Sequence, residues 1–150
     1  MSFYQLFVIV HVFSAILGIG PGFVMLPIVS RAETLPEIKM AFRIRKRIHL
    51  FVMAGGALLL LSGLGMGFFN PYLWQQFWYT ASLVLFIIAL SMGPLVLSPL
   101  TKPIQQLLAE HDGEDIPEPY EKLARKLFFY ERVTNVIFLV IIFLMVTKPF

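Results

Sequence analysis

The chain has no cysteine among its 150 residues, which excludes disulfides, thiolate metal sites and cysteine nucleophiles. Charge is scarce as well. Asp, Glu, Lys and Arg make up 14% of the residues, against about 25% in a typical soluble domain. Long catalytic signatures are missing: there is no Walker loop, no His-Glu-x-x-His and no Gly-x-Ser-x-Gly. No Met-x-x-Met copper pattern occurs, and the scattered methionines read as adaptable apolar filling. The first residues, Met1-Ser2-Phe3-Tyr4-Gln5, carry no basic segment, and no small-x-small site closes the first apolar run. That run is therefore expected to be retained as a span and not cleaved as a signal peptide.

Apolar sequence fills the space left by these absences. Hydrophobic residues are 58% of the chain and the mean hydropathy is +0.79. A chain of this length cannot bury so much apolar surface in a water-facing core. A lipid bilayer is the expected solvent and partner. Four apolar stretches, 3–29, 49–69, 74–97 and 128–146, each approach the ~20 residues that cross ~30 Å of hydrocarbon. Spans in lipid must satisfy their backbone internally, so the fold class expected is all-α, a single-domain four-helix transmembrane bundle over 1–150. Thr34-Leu35-Pro36-Glu37 has the form of a capping box with proline in the first turn. A helix starting there runs on into span two, and another from Asp115-Ile116-Pro117-Glu118 runs on into span four, so helices 2 and 4 extend beyond the membrane. The mixed segment Thr101-Lys102-Pro103-Ile104-Gln105-Gln106-Leu107-Leu108 is expected along the membrane surface, with His111-Asp112-Gly113-Glu114 as a solvated turn.

The basic residues set an orientation. Arg31, Lys39, Arg43, Arg45, Lys46 and Arg47 lie between spans one and two, and Lys102, Lys122, Arg125, Lys126 and Arg132 between or at the edge of spans three and four. The segment 70–75 has none. The positive-inside rule then puts both long connections in the cytoplasm of a bacterial cell and both termini outside. Tyr72, Trp74 and Trp78 suit an aromatic belt at the outer interface. The net charge of +3 reflects this orientation, and no nucleic-acid partner is expected.

His11 is the principal hint of chemistry, because an ionisable side chain inside a span is costly to keep. By i, i+3, i+4 spacing it shares a helix face with Ser14, Ala15, Gly18 and Gly22. About eight residues from the outer end it lies ~12 Å down the helix axis. Ser62 and Gly63, Ser82 and Phe138 are expected at its depth. An imidazole among side chains this small could serve as the axial ligand of a b-type heme, with Ser14, Gly18, Ser62 and Ser82 around the cofactor. It could equally bond Ser62 or Ser82 and join helices without a cofactor. His49, Glu131 and Asn135 form a second candidate, a polar cluster at the cytoplasmic edge, with Glu131 offered to Arg132, Arg47 or Lys46. The small-xxx-small spacings Gly18–Gly22 and Gly63–Gly67 mark close helix contacts, inside one bundle or at a homodimer face.

The order of these features resembles a known family. Leu6-Phe7-Val8-Ile9-Val10-His11, Leu26-Pro27, Arg43-Ile44-Arg45-Lys46-Arg47, Ser62-Gly63, Arg132-Val133-Thr134-Asn135 and the ending Val146-Thr147-Lys148-Pro149-Phe150 are similar to a bacterial family of integral membrane proteins with no assigned function. The likeness covers nearly the whole chain. More distantly, His11, the Leu-Pro pair, Ser62-Gly63 and the ending resemble the four-helix membrane protoporphyrinogen oxidase and the copper-resistance D-type domain. The oxidase resemblance implies that His11 is a heme b ligand. Where that family's third span offers a lysine and a histidine, this chain has Ser82 and Gly93. The expected function is a polytopic inner-membrane protein with heme-linked or redox chemistry at His11. The alternative is a non-catalytic assembly partner of another membrane protein, or a carrier holding a small molecule in the bundle. Transport along a seam of His11, Ser14 and Ser62 is a third option, with a dimer needed to complete the pathway.

Overall fold

The structure is a computed structural model that describes residues 1–149. Phe150, the last residue of the ending quoted above, lies outside the described residues. All regular structure among them is helical: α1 (Phe3–Ser30), α2 (Leu35–Phe69), a 3₁₀ turn (Pro71–Gln75), α3 (Phe77–Met92), a π turn (Gly93–Leu97), α4 (Ser98–Glu110) and α5 (Glu118–Thr147). Since α3, the π turn and α4 form one continuous rod, four helices are long and apolar enough to cross a membrane. Two ends of the bundle can be told apart. One carries both chain termini and the 3₁₀ turn; the other, the basic end, carries the α1–α2 hairpin, α4 and the start of α5.

Local chemistry sets most of the helix starts. Ser2 accepts from the Gln5 backbone N–H, and Gln5 Oε1 accepts in return from Ser2. Thr34 and Glu37 make the expected capping box: Thr34 Oγ1 accepts from the Glu37 N–H, and Glu37 Oε2 accepts from the backbone N–H groups of Glu33 and Thr34 at 2.9 and 3.1 Å. Those two N–H groups hold the Glu37 carboxyl below its ordinary value. α5 starts without such a cap, from Pro117.

α1 packs along α2, and α3 packs on α5. Glycine sets the first pairing. A Cβ on Gly18 would come within 2.8 Å of the backbone of both Gly55 and Gly56. The two helices touch main chain to main chain there, a contact open only to glycine. The Gly63–Gly67 spacing is also used inside the chain: Gly63 faces the His11 ring, and Gly67 faces Tyr79 and Trp74. At the terminal end Tyr79 donates to the Gly63 carbonyl at 2.8 Å and the Trp74 ring N–H to the Gly67 carbonyl at 3.1 Å. Around the middle, Val12, Phe13 and Ile16 of α1, Val84, Ile87 and Ile88 of α3, and Val136, Leu139 and Phe143 of α5 are exposed on the outside. So wide an apolar girdle is the surface of a protein whose solvent is lipid.

The basic end differs from the sequence expectation. The segment 101–108 does not lie on the membrane surface as a separate piece. It continues the third rod as α4, with Thr101, Ile104 and Leu108 buried. Ile104 and Leu108 join Val29, Leu35, Ile38, Phe42, Tyr120 and Leu127 in one apolar core. Pro94 explains the junction. It has no N–H to give the carbonyl four residues back, and the helix widens so that Ser98 N–H reaches the Gly93 carbonyl, five residues away. His111 is not merely solvated: its Nε2 lies 2.7 Å from the Asp115 carbonyl, and the turn through Gly113 curls against its ring.

Candidate functional site

His11 is half-buried on α1, facing α2. Its Nδ1 is 3.0 Å from Ser62 Oγ, and Ser62 Oγ donates to the Leu59 carbonyl at 3.1 Å. Ser62 thus stands between the imidazole and the Leu59 carbonyl, and the hydrogen of the His11–Ser62 bond lies on Nδ1 or on Oγ according to the ring tautomer. The small residues beside the ring are already occupied. Gly63 is filled by the imidazole itself, since a Cβ there would be 3.3 Å from Cε1. Gly18 is closed by the α2 backbone. Ser14 donates to the Val10 carbonyl of its own helix at 2.6 Å. Ser82 is fully buried on α3, and its hydroxyl has no partner among the described residues. Phe138 does not sit at this depth; it lies near Gly22, Phe23 and Phe86. Beside His11 the α1–α2 seam is closed by these contacts.

A polar-lined opening lies elsewhere. A cavity of about 250 Å³ lies toward the basic end, bounded by α1, α2, the π turn with α4, and α5. Met25, Val52, Leu90 and Phe138 form apolar wall; Arg45, Lys46, His49, Lys102, Glu131 and Asn135 supply polar groups. The structure thus brings His49, Glu131 and Asn135 around one space. It does not pair Glu131 with Arg132, Arg47 or Lys46 as expected. The partner is Arg45, which in sequence stands among other cations. Arg45 is 6% exposed and Glu131 5%.

The geometry of that pair is one-sided. Arg45 Nε donates to Glu131 Oε1 at 2.9 Å, Arg45 Nη2 donates to the same oxygen, and Nη1 reaches Thr101 Oγ1 at 3.3 Å. Thr101 in turn donates to the Leu97 carbonyl, at the end of the π turn. The guanidinium therefore ties α2, α4 and α5 together at the cavity. Glu131 Oε2, equally buried, has no donor among the described residues. A signal for Arg45 was present: counting back by threes and fours from it, Phe42, Ala41 and Ile38 are all apolar, so it stands on the core-facing stripe of α2. Lys46, Arg43 and Arg47 are exposed.

No group of three or more His, Cys, Asp or Glu side chains able to hold a metal ion occurs among the described residues. The arrangement can do something simpler: offer an apolar wall, cationic side chains at the rim and one unmet carboxylate acceptor to a small molecule.

The family described as "Predicted integral membrane protein (DUF2269)" matches residues 5–149. The chain belongs to that family. No curated protein and no solved structure matches the chain. The more distant likeness to the heme-binding oxidase therefore rests on the residues quoted for it alone.

Proposed function

We propose that the protein is a non-catalytic binding component of a bacterial cytoplasmic membrane, with its basic end in the cytoplasm, that carries a small membrane-soluble molecule in the cavity among its four rods. One observation carries this: the cavity joins apolar wall to buried and rim-placed charge at the meeting point of the helices. Sites for small molecules have this mixture of apolar lining and few polar groups. At about 250 Å³ the space falls just below the roughly 300–1,000 Å³ that encloses a drug-sized ligand. It suits a headgroup or a compact molecule, not a macrocycle.

A b-type heme on His11 is the second reading, favoured by the Ser62 hydroxyl that holds Nδ1 and leaves Nε2 as the ring nitrogen turned to a ligand. With the α1–α2 seam closed, that heme would sit outside it, for instance between two copies of the chain.

Native mass spectrometry of the protein released from mild detergent tests the carrier reading. A small molecule should be retained by the wild type and lost from Gly93→Leu and Gly22→Leu, two cavity positions where an added Cβ meets nothing closer than 3.9 Å. A wild type with nothing retained, or variants that retain the same molecule equally, would defeat it. A Soret band that disappears in His11→Ala would move the assignment to heme.

A further inference from the structure

We propose that the molecule held in the cavity is an amphiphile with a zwitterionic aminophosphate head, its ammonium on Glu131 and its phosphate on Lys46 and Lys102. This rests on the carrier reading and names the chemistry of its cargo.

Arg45 is not the group left without a partner. Both nitrogens that reach Glu131 converge on Oε1, and the third is committed to Thr101. The pair is neutral as a unit. What remains is one buried carboxylate oxygen, Glu131 Oε2, with no donor among the described residues. Leaving such an acceptor dry is costly, and charged acceptors cost most. Glu131 lines the cavity, so a ligand there can supply the hydrogen. Lys46 and Lys102 follow Arg45 and Thr101 in sequence, line the same cavity and are exposed at its rim. Neither makes an ion pair among the described residues. The site therefore asks for an N–H donor deep inside and an acid at the mouth. A head with only an acid leaves Oε2 unmet and faces a carboxylate. A head with only a cation faces two lysines. A primary ammonium joined to a phosphate satisfies both.

The level in the bundle agrees. Arg45, Thr101 and Glu131 sit where the charge-bearing parts of α2, α4 and α5 meet their apolar runs, the depth at which lipid headgroups lie. Met25, Val52, Leu90 and Phe138 then take the first methylenes of a chain.

The experiment is native mass spectrometry of the full chain in micelles supplied with equal amounts of phosphatidylethanolamine, phosphatidylcholine and phosphatidylglycerol of matched acyl chains. Phosphatidylcholine keeps the phosphate and the positive charge but has no N–H; phosphatidylglycerol has no ammonium. Phosphatidylethanolamine should be retained about tenfold over both, the scale of one charge-assisted hydrogen bond. Lys46→Gln with Lys102→Gln should weaken its retention without lowering the unfolding midpoint, and Glu131→Gln should erase the preference over phosphatidylcholine. Soluble phosphoethanolamine that displaces the lipid shows the head recognised from solution; lipid that stays bound shows recognition from the bilayer, and either supports the head chemistry. Equal retention of the three lipids would overturn this proposal and leave the carrier reading standing. Retention of no lipid by the wild type would overturn it as well, and the carrier reading would fall only if the wild type retained no small molecule of any kind.

Discussion

Arg45 stands in the run Arg43-Ile44-Arg45-Lys46-Arg47, where side chains of one sign look interchangeable. A topology argument treats them so, because it counts cations near a span end. Burial does not: Arg45 is taken out of solvent and bound to Glu131 across the bundle while its neighbours stay exposed. Sequence showed that Glu131 needed a cation but could not choose among cations one position apart, since that choice depends on the rotation of two helices about their axes. Removing one member of a buried pair strands the other. Arg45→Met should therefore cost about 3–5 kcal/mol, whereas Arg45→Met with Glu131→Leu should recover most of the loss. Thermal unfolding midpoints in detergent check this, and a double variant as unstable as the single one would show that the pair is not the source. His11 follows the same logic: its bond to Ser62 was one of two pairings the helix face allowed, and the packing of α1 along α2 selects it over Ser82 on α3.

Whole elements were more legible than their seams. Length and hydropathy marked the spans, and Thr34 with Glu37 marked where α2 begins. α4 was misplaced because Pro99, Pro103 and the polar residues between them resemble a break in a helix. Packing of Ile104 and Leu108 against α2 and α5 holds that segment helical instead. The glycines showed a similar split. Gly18 was expected at a contact, but its partner, the Gly55-Gly56 pair, has no spacing motif to announce it. Gly55→Leu must push backbone aside and should destabilise by about 1–3 kcal/mol or more. Gly20→Leu, on α1 with open space around it, should stay within about 0.5 kcal/mol of wild type. Unfolding of the two variants side by side measures the difference; equal losses would show that helix propensity, and not the close approach, governs the site.

At the scale of the molecule, the apolar girdle and four long helices follow directly from a chain too greasy for water. Charge counts alone carry the orientation, and it can be read cleanly because no native thiol competes with an introduced one. Ser2→Cys in intact cells should react with an impermeant maleimide, and Glu114→Cys only after the membrane is opened; the reverse pattern would turn the protein over. The π turn has a consequence for the chain's length. It accommodates one residue more than an even α-helix would need between Ser91 and Thr101. Without that widening, the same residues wound as an even α-helix would turn everything downstream by about 100°. Thr101 would swing away from the guanidinium, and Ile104 and Leu108 would face outward. The third rod is thus phased like a two-part key, with the offset between its halves as necessary as the teeth.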